Sequence, residues 1–236
     1  MERKQRAAEL IRKAGEEGRN LLEHEVLSLL DAYEMPLPPF KFIPYGSEMT
    51  EQTLEGITYP LVLKVVSTDI VHKSDVGGVR LNLMSFREAQ TAVQEMNAAL
   101  SRRVPDAHIS GWLLRSYIPE GTELIAGSIT DHQLGPAVMA GIGGVFTEAY
   151  KDVSFRLVPL MKSDALEMLE ELRGQAILNG LRGAEPLDRE VLADFFVTFS
   201  CLMSENPEIE ECDLNPLICR ASSIMIADAR VKLKES

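Results

Sequence analysis

Apolar residues recur along this chain with two alternating periods, near 3.6 in some stretches and 2 in others. In LLEHEVLSLLDAY, Leu22, Val26, Leu29 and Leu30 fall on one face of a helix, inside a stretch from residue 1 to about 33 that reads as helical. Pro36, Pro38 and Pro39 end it. FKFIPYG reads as a short strand, and the polar EMTEQTLEG as a short helix. SFREAQTAVQEMNAALSRRV predicts an amphipathic helix capped by Ser85, with Ala89, Val93, Met96 and Leu100 buried. GWLLRSYI, TELIAGSITD, GPAVMAGIGG and VSFRLVPL are strand-like. SDALEMLEELRGQAIL and LDREVLADFFVTFSCLMSEN predict two further helices. ECDLNPLIC and SIMIADARV close the chain as two strands joined by the turn RASS. Strands and helices are mixed rather than strictly alternating, which predicts α+β lobes instead of one doubly wound parallel sheet.

One stretch breaks the pattern. In YPLVLKVVSTDIVHKSDVGGVRLNL, Leu61, Leu63 and Val65 share one strand face, and Lys64 sits on the other with Val62 and Val66. A lysine there must snorkel to water, pair with an acid or meet an anion. A polar loop ending in Gly77 and Gly78 follows, then a run that places Val79, Leu81 and Leu83 on one face and Arg80 and Asn82 on the other. Backbone N–H groups in a glycine turn wrap phosphate oxygens, and a nearby lysine adds a point charge. A mobile hairpin tip with Lys64 paired to an acid explains the same residues.

Two further clusters carry candidate chemistry. Glu211, Asp213 and Asn215 alternate along one strand, and Asp228 lies within the apolar run that follows. Facing carboxylates and an amide suit a hard divalent cation such as magnesium, with phosphate oxygens completing its shell. A carboxylate bonded to Arg156 or Arg230 is the structural alternative. In GIGGVFTEAYKDVSFRLVPL, three glycines permit a tight turn, and Glu148, Lys151, Asp152 and Arg156 follow.

Composition narrows the function classes. A chain of 236 residues suffices for one large domain or two lobes. The formal net charge of −12 argues against a general nucleic-acid role, which needs a basic footprint. No apolar run reaches the length of a membrane span, and the charged amino terminus MERKQRAAELIRKAGEEGRN lacks a signal-peptide core. Both point to the cytoplasm. Cys201, Cys212 and Cys219 are spaced like no zinc site and read as reduced structural thiols. No pair among His24, His72, His108 and His132 has metal-ligand spacing.

Five segments in order, LVLKVVSTDIVHKSDVGGVRLNL, GTELIAGSITDHQLGP, GIGGVFTEAYKDVSFRLVPL, LRG and ECDLNPL…DAR, resemble the ATP-grasp subunit of ADP-forming acyl-CoA synthetases. These acetate–CoA ligases are related to succinyl-CoA synthetase. The resemblance runs from about Leu22 to Val231. It implies an ATP-grasp fold of two α+β lobes holding the nucleotide between antiparallel sheets. The corresponding division is an N-terminal helical extension over 1–21, a first lobe over 22–113 and a second lobe with a metal-binding final hairpin over 114–236.

The resemblance also implies the reversible reaction acyl-CoA + ADP + phosphate ⇌ carboxylic acid + CoA + ATP. CoA and the acid belong to a separate alpha subunit whose phosphorylated histidine carries the phosphoryl group, and this chain is expected to be the beta subunit. Its cofactors are then ATP or ADP and Mg2+. By position, Lys64 corresponds to the lysine on the nucleotide phosphates, and Ser74, Asp75, Val76, Gly77 and Gly78 to the loop that closes over them. Asp213, Asn215 and Asp228 correspond to the magnesium-binding positions, and Glu123 to an acid on the nucleotide side. Arg156 corresponds to a basic residue near the transferred phosphate, and His72 to a second phosphoryl relay or a loop-bonding residue.

Ser116, Tyr117 and Ile118 fall on the segment that reads the adenine edge. There the family's Gln-Glu-Met is Arg115-Ser116-Tyr117, which puts base preference in doubt. Tyr33-Glu34-Met35-Pro36 replaces the usual Tyr-Gly-Ile-Pro. Two other readings stay open: an ATP-grasp ligase working through an acylphosphate, and a non-catalytic nucleotide-sensing subunit.

Overall fold

The computed structural model describes residues 2–70, 72–131, 133–144 and 152–234. The chain forms two compact units, Pro38–Pro119 and Met1–Leu37 with Glu120–Ser236. This division differs from the expected one. A cut after residue 113 falls inside a continuous strand, Ile109–Ser116, and the amino-terminal helices belong with the carboxy-terminal half. The reason is burial: Ala7, Ile11, Ala14, Val26, Leu29 and Leu30 lie in one core with Phe195, Phe196 and Phe199.

The larger unit opens with α1 (Glu2–Glu16) and α2 (Glu23–Ala32), where the sequence suggested one helical stretch. Gly18, at φ +63, turns the chain between them. Arg19 locks the corner, donating to the Glu25 carboxylate at 2.6 and 2.8 Å, while Leu22 N–H donates to the same carboxylate at 2.8 Å.

The smaller unit contains β1 (Phe40–Pro44), a 3-10 turn at Glu51–Leu54, β2 (Leu61–Ser67), β3 (Val79–Leu83), α3 (Phe86–Arg103) and β4 (Ile109–Ser116). Its sheet has the order β1-β4-β2-β3, and every pairing in it is antiparallel. Ser85 caps α3, its hydroxyl accepting from Glu88 N–H at 3.2 Å. Leu61, Leu63 and Val65 share a core with Met96 and Leu100 of α3 and Trp112 and Leu114 of β4. The predicted alternation of β3 fails. Asn82 takes φ +58 and the register slips, so that Leu83 pairs with Leu61 and Val79 with Lys64, leaving Leu81 58% exposed.

The larger unit continues with β5 (Thr122–Asp131), β6 (Gly135–Ile142), β7 (Val153–Leu157), α4 (Lys162–Glu170), α5 (Gln175–Leu178), α6 (Arg189–Glu205), β8 (Ile209–Arg220), β9 (Ser223–Ile226) and β10 (Ala229–Leu233). The six strands form one sheet, β10-β8-β5-β6-β7, with β9 also paired to β8. The helix predicted over SDALEMLEELRGQAIL breaks because Asp152 accepts from the N–H groups of Arg173 and Gly174 at 2.8 and 2.7 Å. Leu124, Ala126, Val138, Ala140, Leu214 and Leu217 face the core beneath this sheet. The opposite face is left to the residues between them.

Candidate active site

In the smaller unit, Lys64 pairs across the sheet with Val79 on β3 and Leu113 on β4. Its neighbours on that face, Val62 and Val66, are 5% and 1% exposed, and Leu113 is fully buried. The half-buried lysine therefore has apolar neighbours along its own strand and directly across from it. Arg115 stands opposite Val62 on the same face and is itself only 8% exposed. Lys64 and Arg115 thus lie on one face of this sheet, on neighbouring strands.

The loop after β2 folds into a compact turn. Gly77 N–H donates to Ser74 C=O at 3.1 Å, Gly78 N–H to Lys73 C=O at 2.6 Å, and Val65 N–H to Gly78 C=O at 2.9 Å. In this conformation the amides of Gly77 and Gly78 are spent within the loop, not offered to phosphate. Gly78 is required for space: a Cβ there meets Val65 Cγ1 at 2.6 Å and Lys73 O at 3.0 Å. Ser74 and Asp75 are exposed, Val76 is half-buried, and His72 is exposed immediately before the turn.

At the end of β4, the Ser116 hydroxyl accepts from both Thr58 N–H (2.8 Å) and the Thr58 hydroxyl (3.1 Å). Ser116 N–H donates to Pro39 C=O and Tyr117 N–H to Pro60 C=O, at 3.0 and 2.8 Å. The side chain at 116 is thus an anchor, turned to the face opposite Arg115. Tyr117 is 38% exposed and Ile118 half-buried. No local sequence signal links Thr58 to Ser116; only the fold brings them together.

In the larger unit, Asp213 pairs with Gly127 on β5 and with Arg230 on β10. It lies on the sheet face away from the core. Burial raises its carboxyl above the usual range, Arg230 opposes that, and the charges of Asp228 and Glu211 push it further up. Asp228 occupies the break between β9 and β10, not the middle of an apolar strand, and its C=O accepts from Asn215 N–H at 3.1 Å. The pairing of β5 with β8 shifts register between Leu124 and Ala126, whose partners are Leu217 and Leu214. Regular alternation therefore covers Glu211 and Asp213 but not Asn215, whose exposed side chain sits in the irregular stretch.

Mutually repelling, partly desolvated carboxylates beside an exposed amide are the donor set that a hard divalent cation relieves. The residues present fit magnesium. Among the described residues, no group of three or more His, Cys, Asp or Glu side chains converges to hold a metal alone, so the remaining ligands of such an ion are amide, water or phosphate oxygens.

Glu123 shares the face of Asp213, is exposed, and lies under Gly143, whose N–H donates to Glu123 C=O at 2.9 Å. Arg156 does not join this group. By register it pairs with Val138, a core-facing residue, and so points to the helix side. There its guanidinium grips Glu171 at 2.9 and 2.6 Å, which with Ser154 lowers that carboxyl to about 2. Arg156, expected beside the transferred phosphate, thus lies on the sheet face opposite Asp213 and Glu123, because strand alternation sends 155 and 156 to opposite faces. Glu148 and Lys151 lie outside the described residues. Cys212 and Cys219 are buried free thiols, and burial raises that of Cys219 to about 12.

The model of the ATP-grasp domain family matches residues 13–233. The chain belongs to the ATP-grasp family. Within that family it is 43% identical to the beta subunit of acetate–CoA ligase [ADP-forming] I of Pyrococcus furiosus, over 99% of this chain and 100% of that one. It is 40% identical to acetate–CoA ligase [ADP-forming] I of Archaeoglobus fulgidus, matching 98% of this chain but only 34% of that longer enzyme. The acetyl-coenzyme A synthetase of Ca. Korarchaeum cryptofilum, solved with coenzyme A, superposes with a TM-score of 0.90 at 41% identity, covering 97% of this chain and all of the matched one. A second structure of that enzyme holds coenzyme A and Mg-AMPPCP, with a phosphohistidine segment pointing towards the nucleotide binding site. This ATP-grasp chain is thus similar along its whole length to separate beta subunits, and to about a third of a longer ligase. No described helix is long and apolar enough to cross a membrane.

Proposed function

We propose that this chain is the nucleotide-handling beta subunit of an ADP-forming acid–CoA ligase, exchanging a phosphoryl group between a partner's phosphohistidine and ADP. The observation that carries this reading is Lys64, a charged group set midway along a buried strand with Arg115 on the same face. A lysine fixed at that place on the sheet is a compact point charge of the kind that binds nucleotide phosphates.

In the direction of ATP synthesis, the phosphorus–nitrogen bond of the partner's phosphohistidine breaks as a β-phosphate oxygen of ADP forms the new phosphorus–oxygen bond. The imidazole leaves and takes up a proton. Catalysis of this kind is mainly positioning and charge neutralisation. Lys64 holds the nucleotide phosphates, and the turn from Ser74 to Gly78 rearranges over them, releasing the Gly77 and Gly78 amides. Asp213, Asn215 and Asp228 hold magnesium, which offsets the phosphate charge when bound. Glu123 is the acid that meets the nucleotide, and backbone groups of Tyr117 and Ile118 read the base. His72, exposed beside the turn, is the second phosphoryl carrier. CoA, the acid and the first histidine come from a CoA-binding alpha subunit.

Calorimetric titration with Mg-ATP and Mg-ADP, against Mg-GTP and a magnesium-free control, tests the reading. Saturable, magnesium-dependent adenine nucleotide binding that Lys64→Ala abolishes without unfolding the protein is expected. Absence of nucleotide binding, with or without the CoA-binding subunit, overturns it.

A further inference from the structure

On the face of the larger sheet away from the core, the β5, β6 and β7 side is apolar. Cross-strand registers place Arg230, Asp213, Gly127, Met139 and Phe155 in a single row across five strands. The next row holds Lys232, Glu211, Ile129, Ala137 and Leu157. Phe155, Leu157 and Ile129 are 47%, 52% and 53% exposed. A Cβ on Gly127 would meet Met139 Cε at 3.2 Å, so the Met139 methyl lies over the bare backbone between Phe155 and Asp213. The apolar surface therefore runs from the rim of the sheet to the candidate metal residue without interruption. From β8 to β7 is three strand spacings, about 14 Å.

Three exposed large apolar residues in two neighbouring rows of one face are more than scattered surface hydrophobics, and Met and Phe are residue types enriched at protein interfaces. We infer that this apron, Ile129, Met139, Phe155 and Leu157, is the docking surface for the phosphohistidine-bearing segment of the partner subunit. The inference rests on the proposed function. In that reading the imidazole of a second polypeptide must reach a phosphate held beside Asp213, and in the Korarchaeum enzyme such a segment points towards the nucleotide site. A segment laid along the apron arrives at Asp213 from the apolar side. Its burial there excludes water from the phosphoryl group, which hydrolysis otherwise consumes.

The test uses a peptide copying the unphosphorylated histidine segment of the Korarchaeum enzyme, Mg-ATP, and acid-labile phosphohistidine formation as the readout. Phe155→Thr and Leu157→Thr put a β-branched residue of high strand propensity on a half-exposed strand, so the fold is retained. They are expected to raise the KM for peptide tenfold or more, with kcat and Mg-ATP affinity unchanged. Leu81→Thr, an equally exposed apolar site on the other unit, is the control and leaves that KM unchanged. If the wild type phosphorylates the peptide and the two β7 variants match it, the apron is not the docking surface. If their KM is unchanged but a concentration-dependent dimer of the wild type is lost, the apron belongs to a second copy of this chain, which also overturns the inference. A wild type that binds Mg-ATP but never phosphorylates the peptide or the intact partner overturns the proposed function and the inference together.

Discussion

Arg230 stands directly opposite Asp213 across the β8–β10 ladder, and its charge works against the burial and the neighbouring acids that raise the Asp213 carboxyl. Arg230 and Asp228, which act on the Asp213 carboxyl in opposite senses, thus have opposite effects on a cation there. Asp228→Asn removes an attracting charge and is expected to weaken magnesium-dependent nucleotide binding by about tenfold or more. Arg230→Gln removes a repelling one and is expected to tighten it by about two- to fivefold, the scale of a partly exposed charge interaction. Magnesium titrations at fixed nucleotide read both, and changes of the same sign rule out an ion beside Asp213.

Arg156 gives a prediction of the opposite kind. Held by Glu171 on the helix side of β7, it is expected to serve stability. Arg156→Ala leaves phosphoryl transfer within about threefold of wild type, since a group that does not meet the reacting atoms removes no transition-state interaction. The Glu171 carboxyl lies near 2, through its bonds to Arg156 and then Ser154. Its depressed value means a stabilisation present above the normal carboxylate range and lost as the pH falls towards 2. The melting temperature of the wild type should therefore fall across this acid range more steeply than that of Arg156→Ala. A transfer rate reduced a hundredfold in the variant would return Arg156 to the site.

Ser116→Ala separates anchoring from base reading. The hydroxyl accepts two bonds from Thr58, so its loss leaves a part-buried N–H without its acceptor and costs about 1 to 3 kcal/mol. The preference for ATP over GTP is expected to stay the same. A changed preference in competitive calorimetry would show that the side chain at 116 meets the base.

Gly78→Ala tests the turn. The added methyl meets Val65 Cγ1 at 2.6 Å, in a stretch where β2 is packed on both faces. Overpacking of this kind costs about 1 to 3 kcal/mol, or several degrees of melting temperature. Because Val65 lies beside Lys64, nucleotide affinity should fall in parallel. Unchanged stability would mean that the turn is not closed on β2 in solution.

The elements themselves were largely legible in the sequence because they follow from local periodicity. The amphipathic face of α3, with Ala89, Met96 and Leu100 buried, follows from a 3.6-residue repeat and a serine cap, and β2 from an apolar run interrupted once. The breaks were less legible. The helical stretch to residue 33 divides at Gly18, the helix after β7 divides where Asp152, just before that strand, accepts from its backbone, and β3 slips at Asn82. Each depends on a backbone conformation or on a bond between distant residues.

The candidate site divides in the same way. Lys64 and the Gly77–Gly78 turn announce themselves because a charge inside a strand and paired glycines are unusual whatever surrounds them. The sequence by itself therefore determined the residue types of the chemistry, their order along the chain and most of the elements that carry them. Only the tertiary structure decided which residues share a face. It set Asp213 beside Arg230 and in line with Phe155, turned Arg156 away towards Glu171, and bound Ser116 to Thr58. The physical reason is that a strand alternates its side chains every residue, and a bulge or a one-residue register shift exchanges the two faces. Such shifts are settled by pairing with strands far away in the sequence, so no local pattern contains them.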